Sequence, residues 1–187
     1  MPLPDQYAAL IPKSKGTYAL ILRLEHGQVI QVGKLGSFEF PAGYYLYAGS
    51  AFGPGGLAGR LGRHITLDHA ASPSHWHIDY LRRRAPIVAI WFGQHQTRRE
   101  HDWATLVGRL PGCSCPAPRF GASDCRCCAH LFHFVRPPDA GRFSALLSHA
   151  FPGDKPLRII QIDEDIKPIS KDPAHERPSL GQFLDLF

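Results

Sequence analysis

Residues 44–65 read YYLYAGSAFGPGGLAGRLGRHI, and the change of character along them decides the fold. Tyr44 to Ala48 is aromatic and aliphatic, the composition of a short extended strand. A glycine-rich loop follows, from Gly49 to Gly56. From Leu57 the period changes: Leu57, Leu61 and Ile65 fall at i, i+4 and i+8, the apolar stripe of a helix. Arg60 and His64 run along one edge of that stripe. A strand passing through a loop into an amphipathic helix predicts a domain that mixes α and β elements.

Upstream the pattern is β. Between Thr17 and Leu24 the residues Tyr18, Leu20, Leu22 and Leu24 share one face, and Ala19, Ile21 and Arg23 the other. His26-Gly27 makes a turn into a second strand, Gln28 to Val32. Ser37 to Phe40 and Tyr44 to Ala48, parted by Pro41-Ala42-Gly43, complete a β-meander. The residues before position 15 read as a leader. Downstream, Pro86 precedes a buried strand, Ile87 to Phe92. A helix spans Thr97 to Leu110 and stops at Pro111-Gly112. A last strand, Leu131 to Val135, closes the domain at residue 136. Asp139 to Ala150 and Leu157 to Ile162 read as a short appended helix and strand within residues 137–162. Residues 163–187 read as a charged, proline-punctuated flexible tail. The expected fold class is α+β, a small and mainly antiparallel sheet flanked by helices.

Composition narrows the function classes. With 187 residues the chain suits one well-buried core. Its 44% hydrophobic and 20% charged residues are the mix of a soluble globular protein. No apolar run approaches the roughly 18 residues of a membrane span, and none near the N-terminus suits a signal peptide, so a cytoplasmic location is expected. A net charge of +5 and a pI near 9.1 suit a polyanionic partner. The excess gathers at Arg60-x-x-Arg63-His64, at Arg82-Arg83-Arg84 and at Arg98-Arg99, which form either a DNA-binding surface or a solvated basic face. Five cysteines lie between Cys113 and Cys128. In a chain without an export signal they do not read as a disulfide scaffold. Cys113-x-Cys115, Cys125-x-Cys127-Cys128 and His130 offer soft ligands for zinc, with Cys113, Cys115, Cys125 and Cys127 as the candidate set. Paired zinc cysteines usually have two residues between them, and here there is one; small buried hydrophobes are the competing role.

Periodicity exposes one anomaly. With Glu100 set at 0° on the helix Thr97–Leu110, Trp103, Ala104, Val107 and Leu110 all fall within about 80° of it. His101, Asp102, Thr105 and Arg109 take the wet face. A carboxylate on an apolar stripe is costly unless a cation, a metal or several donors meet it. Glu100 is therefore a metal ligand, a catalytic carboxylate or half of a structural ion pair. His75, His77 and Asp79 alternate as on a strand and share one face, either a second polar or metal-binding patch or ordinary surface.

Taken in order, these pieces resemble the GIY-YIG nuclease superfamily: Gly16-Thr17-Tyr18 on one strand, Tyr47-Ala48-Gly49 on another, Arg60 and His64 on the first helix, Glu100 on a later one. The chain is most similar to a little-characterised branch associated with endonuclease III-type repair enzymes. That likeness lies in Val32-Gly33-Lys34-Leu35-Gly36, Tyr45-Leu46-Tyr47-Ala48-Gly49-Ser50-Ala51, His75-Trp76-His77-Ile78-Asp79-Tyr80-Leu81 and Phe120-Gly121-x-Ser123-Asp124-Cys125-x-Cys127-x-x-His130-Leu131-Phe132. It spans roughly residues 15 to 136. The resemblance implies hydrolysis of DNA phosphodiester bonds with a divalent metal, magnesium or manganese, in DNA repair or maintenance. It implies that Glu100 holds the metal, that Arg60 grips the phosphate, and that Tyr18 and Tyr47, with His64 nearby, position or deprotonate the attacking water. The chain departs from the family twice. The motif tyrosines stand far apart, so the meander is inserted between their strands, and the usual late asparagine is replaced by Ser123-Asp124. A non-catalytic nucleic-acid-binding module of the same fold and a zinc-stabilised adaptor remain as rivals.

The C-terminus carries a separate resemblance. Gln182-Phe183-Leu184-Asp185-Leu186-Phe187 is similar to the peptide by which bacterial polymerases and repair proteins dock on the DNA sliding clamp, with Gln182, Leu184, Leu186 and Phe187 as the docking residues. A folded-back cap on the domain's own core is the alternative.

Overall fold

Strand β1 (Gly16–Leu24) is apolar on both faces because it runs through the middle of a sheet. In the computed structural model, which describes residues 5–66, 74–123 and 125–162, β1 is flanked by β4 (Gly43–Ser50) on one side and β5 (Ile87–Gln94) on the other. The five-stranded sheet is completed by β6 (Leu131–Phe134) beside β4 and β7 (Arg158–Gln161) beside β5. Every pairing is antiparallel. Helices flank the sheet, and the fold is α+β as the sequence pattern requires.

The intervening strands β2 (Gln28–Val32) and β3 (Gly36–Phe40) do not join this sheet. They pair only with each other, so the expected meander is a hairpin set outside the main sheet, and β1 meets β4 directly. Burial explains the choice. Ile30 and Val32 are buried while Val29 and Gln31 are exposed. A strand with one apolar face can cover a core, whereas β1 and β4 have two apolar faces and need layers on both sides.

Those layers sort the alternating residues of β1. Tyr18, Leu20, Leu22 and Leu24 enter one cluster with Leu57 and Leu61 of α2 (Gly56–Thr66) and Ile78 and Leu81 of α3 (His77–Arg82). Ala19 and Ile21 face the other cluster, with Trp103 and Val107 of α4 (Glu100–Val107) and Phe143 of α5 (Ala140–Ala150). Trp103 meets Phe143 edge-on at 5.2 Å between ring centroids, a geometry worth about 0.5–1.5 kcal/mol beyond the area it buries.

Three boundaries differ from the sequence reading. The leader is packed: Tyr7, on the short helix α1 (Asp5–Ala8), and Ile11 are buried in the first cluster, and the Ser14 carbonyl accepts from Leu57 N–H at the start of α2. The segment 137–162, read as an appendage, belongs to the same body, since α5 buries Phe143 and β7 extends the sheet. Helix α4 begins at Glu100 rather than Thr97. Arg98 reaches back to Ser50, and Arg99 to Asp154, so tertiary contacts hold the preceding residues out of the helix. Residues 163–187 lie outside the described residues, and with them the clamp-binding peptide Gln182, Leu184, Leu186 and Phe187. No described helix is long and apolar enough to cross a membrane.

Candidate functional site

Register brings the motif strands together. Tyr18 on β1 pairs with Gly49 on β4, and Leu20 with Tyr47, so the tyrosines lie diagonally on one face. The Tyr18 ring lies across Gly49: a Cβ there would come within 2.4 Å of the ring carbon Cζ. Only glycine leaves room for that ring. Tyr47 is held in the same way by Gly121, whose φ of +72° favours glycine and whose Cβ would approach the Tyr47 ring to 2.9 Å. The Tyr47 ring also meets Phe120 edge-on at 6.2 Å.

Beside β4 the partner strand β6 starts only at Leu131, so the end of β4 borders an open cleft of about 210 Å³. Tyr18, Tyr47, Arg60 and Glu100 line it together. Behind Tyr18, the Tyr18 hydroxyl and His64 Nε2 share a buried hydrogen bond of 2.8 Å. His64 thus supports the site from inside and does not line the cleft.

Electrostatics sets this pair's protonation. Burial, and then Tyr47, push the Tyr18 phenol well above its ordinary value, against the opposing pull of Arg60 and Arg63. Burial, followed by Arg82 and Arg63, holds His64 well below its ordinary value. At neutral pH the pair is therefore a protonated phenol beside a neutral imidazole.

Glu100, at the first position of α4, is 8% exposed. Its Oε1 lies 3.6 Å from an exposed Arg98 nitrogen and 3.9 Å from His101 Nε2. Its Oε2 is buried with no hydrogen-bond partner among the described residues. An unmet carboxylate oxygen costs roughly 1–3 kcal/mol or more when buried unless a donor or a cation meets it.

The arginines divide by what they touch. Arg60 stacks over the Trp76 ring at 4.4 Å and forms no salt bridge or hydrogen bond among the described residues, which leaves its planar fork for a ligand. Arg63 also stacks on Trp76, at 3.7 Å, but both its terminal nitrogens bond the Asp79 carboxylate. Arg82 turns inward and donates to the carbonyls of Ala85 and His64. Arg99 pairs with Asp154 at 3.0 Å and lies over Phe151, tying α4 to the end of α5. Arg83, Arg84 and Arg98 are exposed.

The patch of His75, His77 and Asp79 does not form, because these residues are not on a strand. Asp79 caps α3, accepting from the backbone N–H groups of His75 and Trp76 at 2.9 Å each. Burial alone would raise its carboxyl, but Arg63 and those two N–H groups hold it below its ordinary value. His77 Nδ1 accepts from Gly121 N–H at 3.0 Å, fixing the loop beneath Tyr47. Ser123 is exposed and does not line the cleft, and Asp124 lies outside the described residues.

The cysteines also regroup. Cys113 packs against the second core cluster, and Cys115 lies 3.7 Å from Cys128. Cys125 and Cys127 instead converge with His101 and His130, all four donor atoms lying within 4.8 Å of one another. This His/Cys cluster could hold a metal ion, and it replaces the all-cysteine set. The sequence signal for His130 was its place after Cys125-x-Cys127. His101 carried none, since it sits on the wet face of α4. Trp76, whose ring lies under both Arg60 and Arg63, has no sequence signal beyond its place in His75-Trp76-His77.

A family model described as a domain of unknown function, DUF123, matches residues 17–151. The chain belongs to DUF123. The match begins at β1 beside Tyr18 and ends after α5, so it contains the whole cleft and the His/Cys cluster of this DUF123 domain. No curated protein and no solved structure matches the chain.

Three buried or half-buried histidines give the domain a pH signature. Burial lowers His64, His77 and His95, with Asp154 opposing the shift at His95. The unfolded chain binds more protons than the native one once pH drops below the ordinary histidine value of about 6.5. Stability is thus fully present above that value and is lost as pH falls through it toward the lowered native values. The urea midpoint should hold from pH 8 to 7 and fall between pH 6.5 and 5, and His64→Gln should flatten the fall. Each group contributes at most about 1.36 kcal/mol per pH unit. A midpoint that stays level down to pH 5 would contradict this account.

Proposed function

We propose that this DUF123 domain is a divalent-metal-dependent endonuclease that hydrolyses DNA phosphodiester bonds, acting in DNA repair or maintenance in the cytoplasm. One observation carries the reading: Glu100, whose Oε2 is buried with no hydrogen-bond partner among the described residues, lines the same cleft as Arg60 and Tyr18, and His64 bonds the Tyr18 hydroxyl from behind. The resemblance of Gly16-Thr17-Tyr18, Tyr47-Ala48-Gly49, Arg60 and Glu100 to the GIY-YIG pattern supports it, as does the pairing of the two motif strands.

The donor set fits magnesium or manganese, which take one or two carboxylates and keep several waters. A metal held by Glu100 would polarise the scissile phosphate and make its coordinated water more acidic. Arg60, which lies over the Trp76 ring, would take two phosphate oxygens through its fork and meet the charge that develops on them. Tyr18, its hydroxyl held by His64 Nε2, would position the attacking water. Tyr47, braced by Phe120 and Gly121, narrows the cleft around that water. Exposed Arg83, Arg84 and Arg98 supply the backbone contacts. The C-terminal peptide with Gln182, Leu184, Leu186 and Phe187 would tether the enzyme to a bacterial sliding clamp, a reading that rests on its sequence alone.

The test is a cleavage screen of branched, nicked, single-stranded and duplex DNA, with and without magnesium or manganese. Metal-dependent cutting of at least one substrate is expected. Binding without cutting would replace the enzyme by a non-catalytic DNA-binding module of the same fold.

A further inference from the structure

We propose that His101, Cys125, Cys127 and His130 form a structural zinc site that pins the cysteine loop to the start of helix α4. The inference does not depend on nuclease activity, although His101 and His130 also line the cleft, and it rests on four donor atoms that the fold brings to one point. His101 Nδ1 lies 3.3 Å from His130 Nε2 and 3.3 Å from Cys127 Sγ, and Cys125 Sγ lies 3.6 Å from His130 Nε2. Zinc sits about 2.0–2.1 Å from imidazole nitrogen and about 2.3 Å from thiolate sulfur in a tetrahedron. Those bond lengths put neighbouring nitrogens about 3.3 Å apart and a nitrogen about 3.6 Å from a sulfur. Three of the six edges are thus close to those of a zinc tetrahedron, and the whole set lies within 4.8 Å.

Donor chemistry selects the metal. Two thiols and two imidazoles are soft and borderline ligands, suited to zinc and unsuited to magnesium or calcium. Four protein ligands leave no open position, which marks a structural rather than a catalytic centre. The arrangement also accounts for the single-residue spacing of Cys125-x-Cys127. The tetrahedron is completed by histidines, one from the loop and one from α4, instead of by a second cysteine pair. His101 binds through Nδ1, and its other ring nitrogen lies 3.9 Å from Glu100 Oε1. A ligating histidine commonly turns that nitrogen toward a carboxylate, so the zinc ligand would also orient Glu100 at the mouth of the cleft.

The experiment is elemental analysis of the full-length protein, purified without metal-affinity steps, together with cobalt substitution and mass-mapped alkylation of the thiols. One zinc per chain is expected, and the cobalt form should show the visible absorption of a tetrahedral thiolate site. Cys125 and Cys127 should resist alkylation until a chelator is added, whereas Cys128 reacts at once. Zinc should be lost in Cys125→Ser, Cys127→Ser and His101→Ala, and kept in the Cys113→Ser, Cys115→Ser double variant and in Glu100→Gln. Where a ligand variant fails to fold, the wild-type metal content, cobalt spectrum and alkylation map decide. A wild-type protein with neither zinc nor a tetrahedral cobalt spectrum overturns the proposal, as does equal zinc loss in the Cys113, Cys115 double variant.

Discussion

Glu100→Gln should abolish DNA cleavage while leaving the fold at least as stable in the absence of metal. Metal participation in phosphoryl chemistry supplies several kcal/mol of transition-state stabilisation, and at about 1.36 kcal/mol per tenfold its loss means a rate decrease of about three orders of magnitude. Stability should move the other way. Among the described residues the wild-type Oε2 is buried without a partner, and Oε1 meets only His101 Nε2 at 3.9 Å and an arginine that is itself 63% exposed. An exposed pair of that kind is worth only about 0–1 kcal/mol, less than the penalty of burying an unmet carboxylate oxygen. Thermal unfolding in chelator should therefore give a melting temperature equal to or above wild type. A large drop would reassign Glu100 to a structural pair with Arg98, and cutting at the wild-type rate would remove it from the site.

Arg60→Ala should slow cleavage by about 100-fold, with DNA binding weakened by no more than one phosphate contact, a change of about one unit in salt slope. Among the described residues the guanidinium has no ionic partner to lose, so any stability cost should be confined to its stacking on Trp76, about 0.5–1 kcal/mol. Arg63→Ala makes the contrast, although it is only three residues away on the same helix. It strips the Asp79 carboxylate, 2% exposed in its side chain, of a two-pronged charged partner. Hydrogen bonds to charged groups contribute about 1.5–3 kcal/mol each, so Arg63→Ala should lower stability far more than Arg60→Ala. Cleavage rate per folded molecule should follow the opposite order. Equal losses of rate and of affinity in Arg60→Ala would make Arg60 a backbone anchor only.

Local pattern was enough for the five strands of the main sheet and for helices α2, α4 and α5. The alternation of β1 assigned Tyr18, Leu20, Leu22 and Leu24 to one layer and Ala19 and Ile21 to the other, and both layers are present. The 3.6-residue period placed Glu100 on the buried stripe with Trp103, Ala104 and Val107, and all four are buried. These features are legible because burial of a side chain depends on its phase along one element, which the sequence records directly.

Where period and geometry conflict, the sequence misleads. His75, His77 and Asp79 have the alternation of a strand, yet they open a short helix, because the Asp79 carboxylate satisfies two backbone N–H groups that a strand would have paired elsewhere. Thr97 to Arg99 would extend α4 by propensity. Asp154 and Ser50, far away in the chain, pull the arginines out of it.

The sequence by itself determined the α+β class, the two-sided central strand, the order Tyr18, Tyr47, Arg60, Glu100 and the buried position of the Glu100 carboxylate. Tertiary structure alone decided that the β2–β3 hairpin leaves the sheet so that Tyr18 lies against Gly49, and that Arg63, Arg82 and Arg99 are engaged inside the fold. It alone brought His101 to Cys125, Cys127 and His130. The physical reason is the same in each case: these facts depend on contacts between residues 16 to 55 positions apart, which no periodicity encodes, and on which acceptor each arginine reaches.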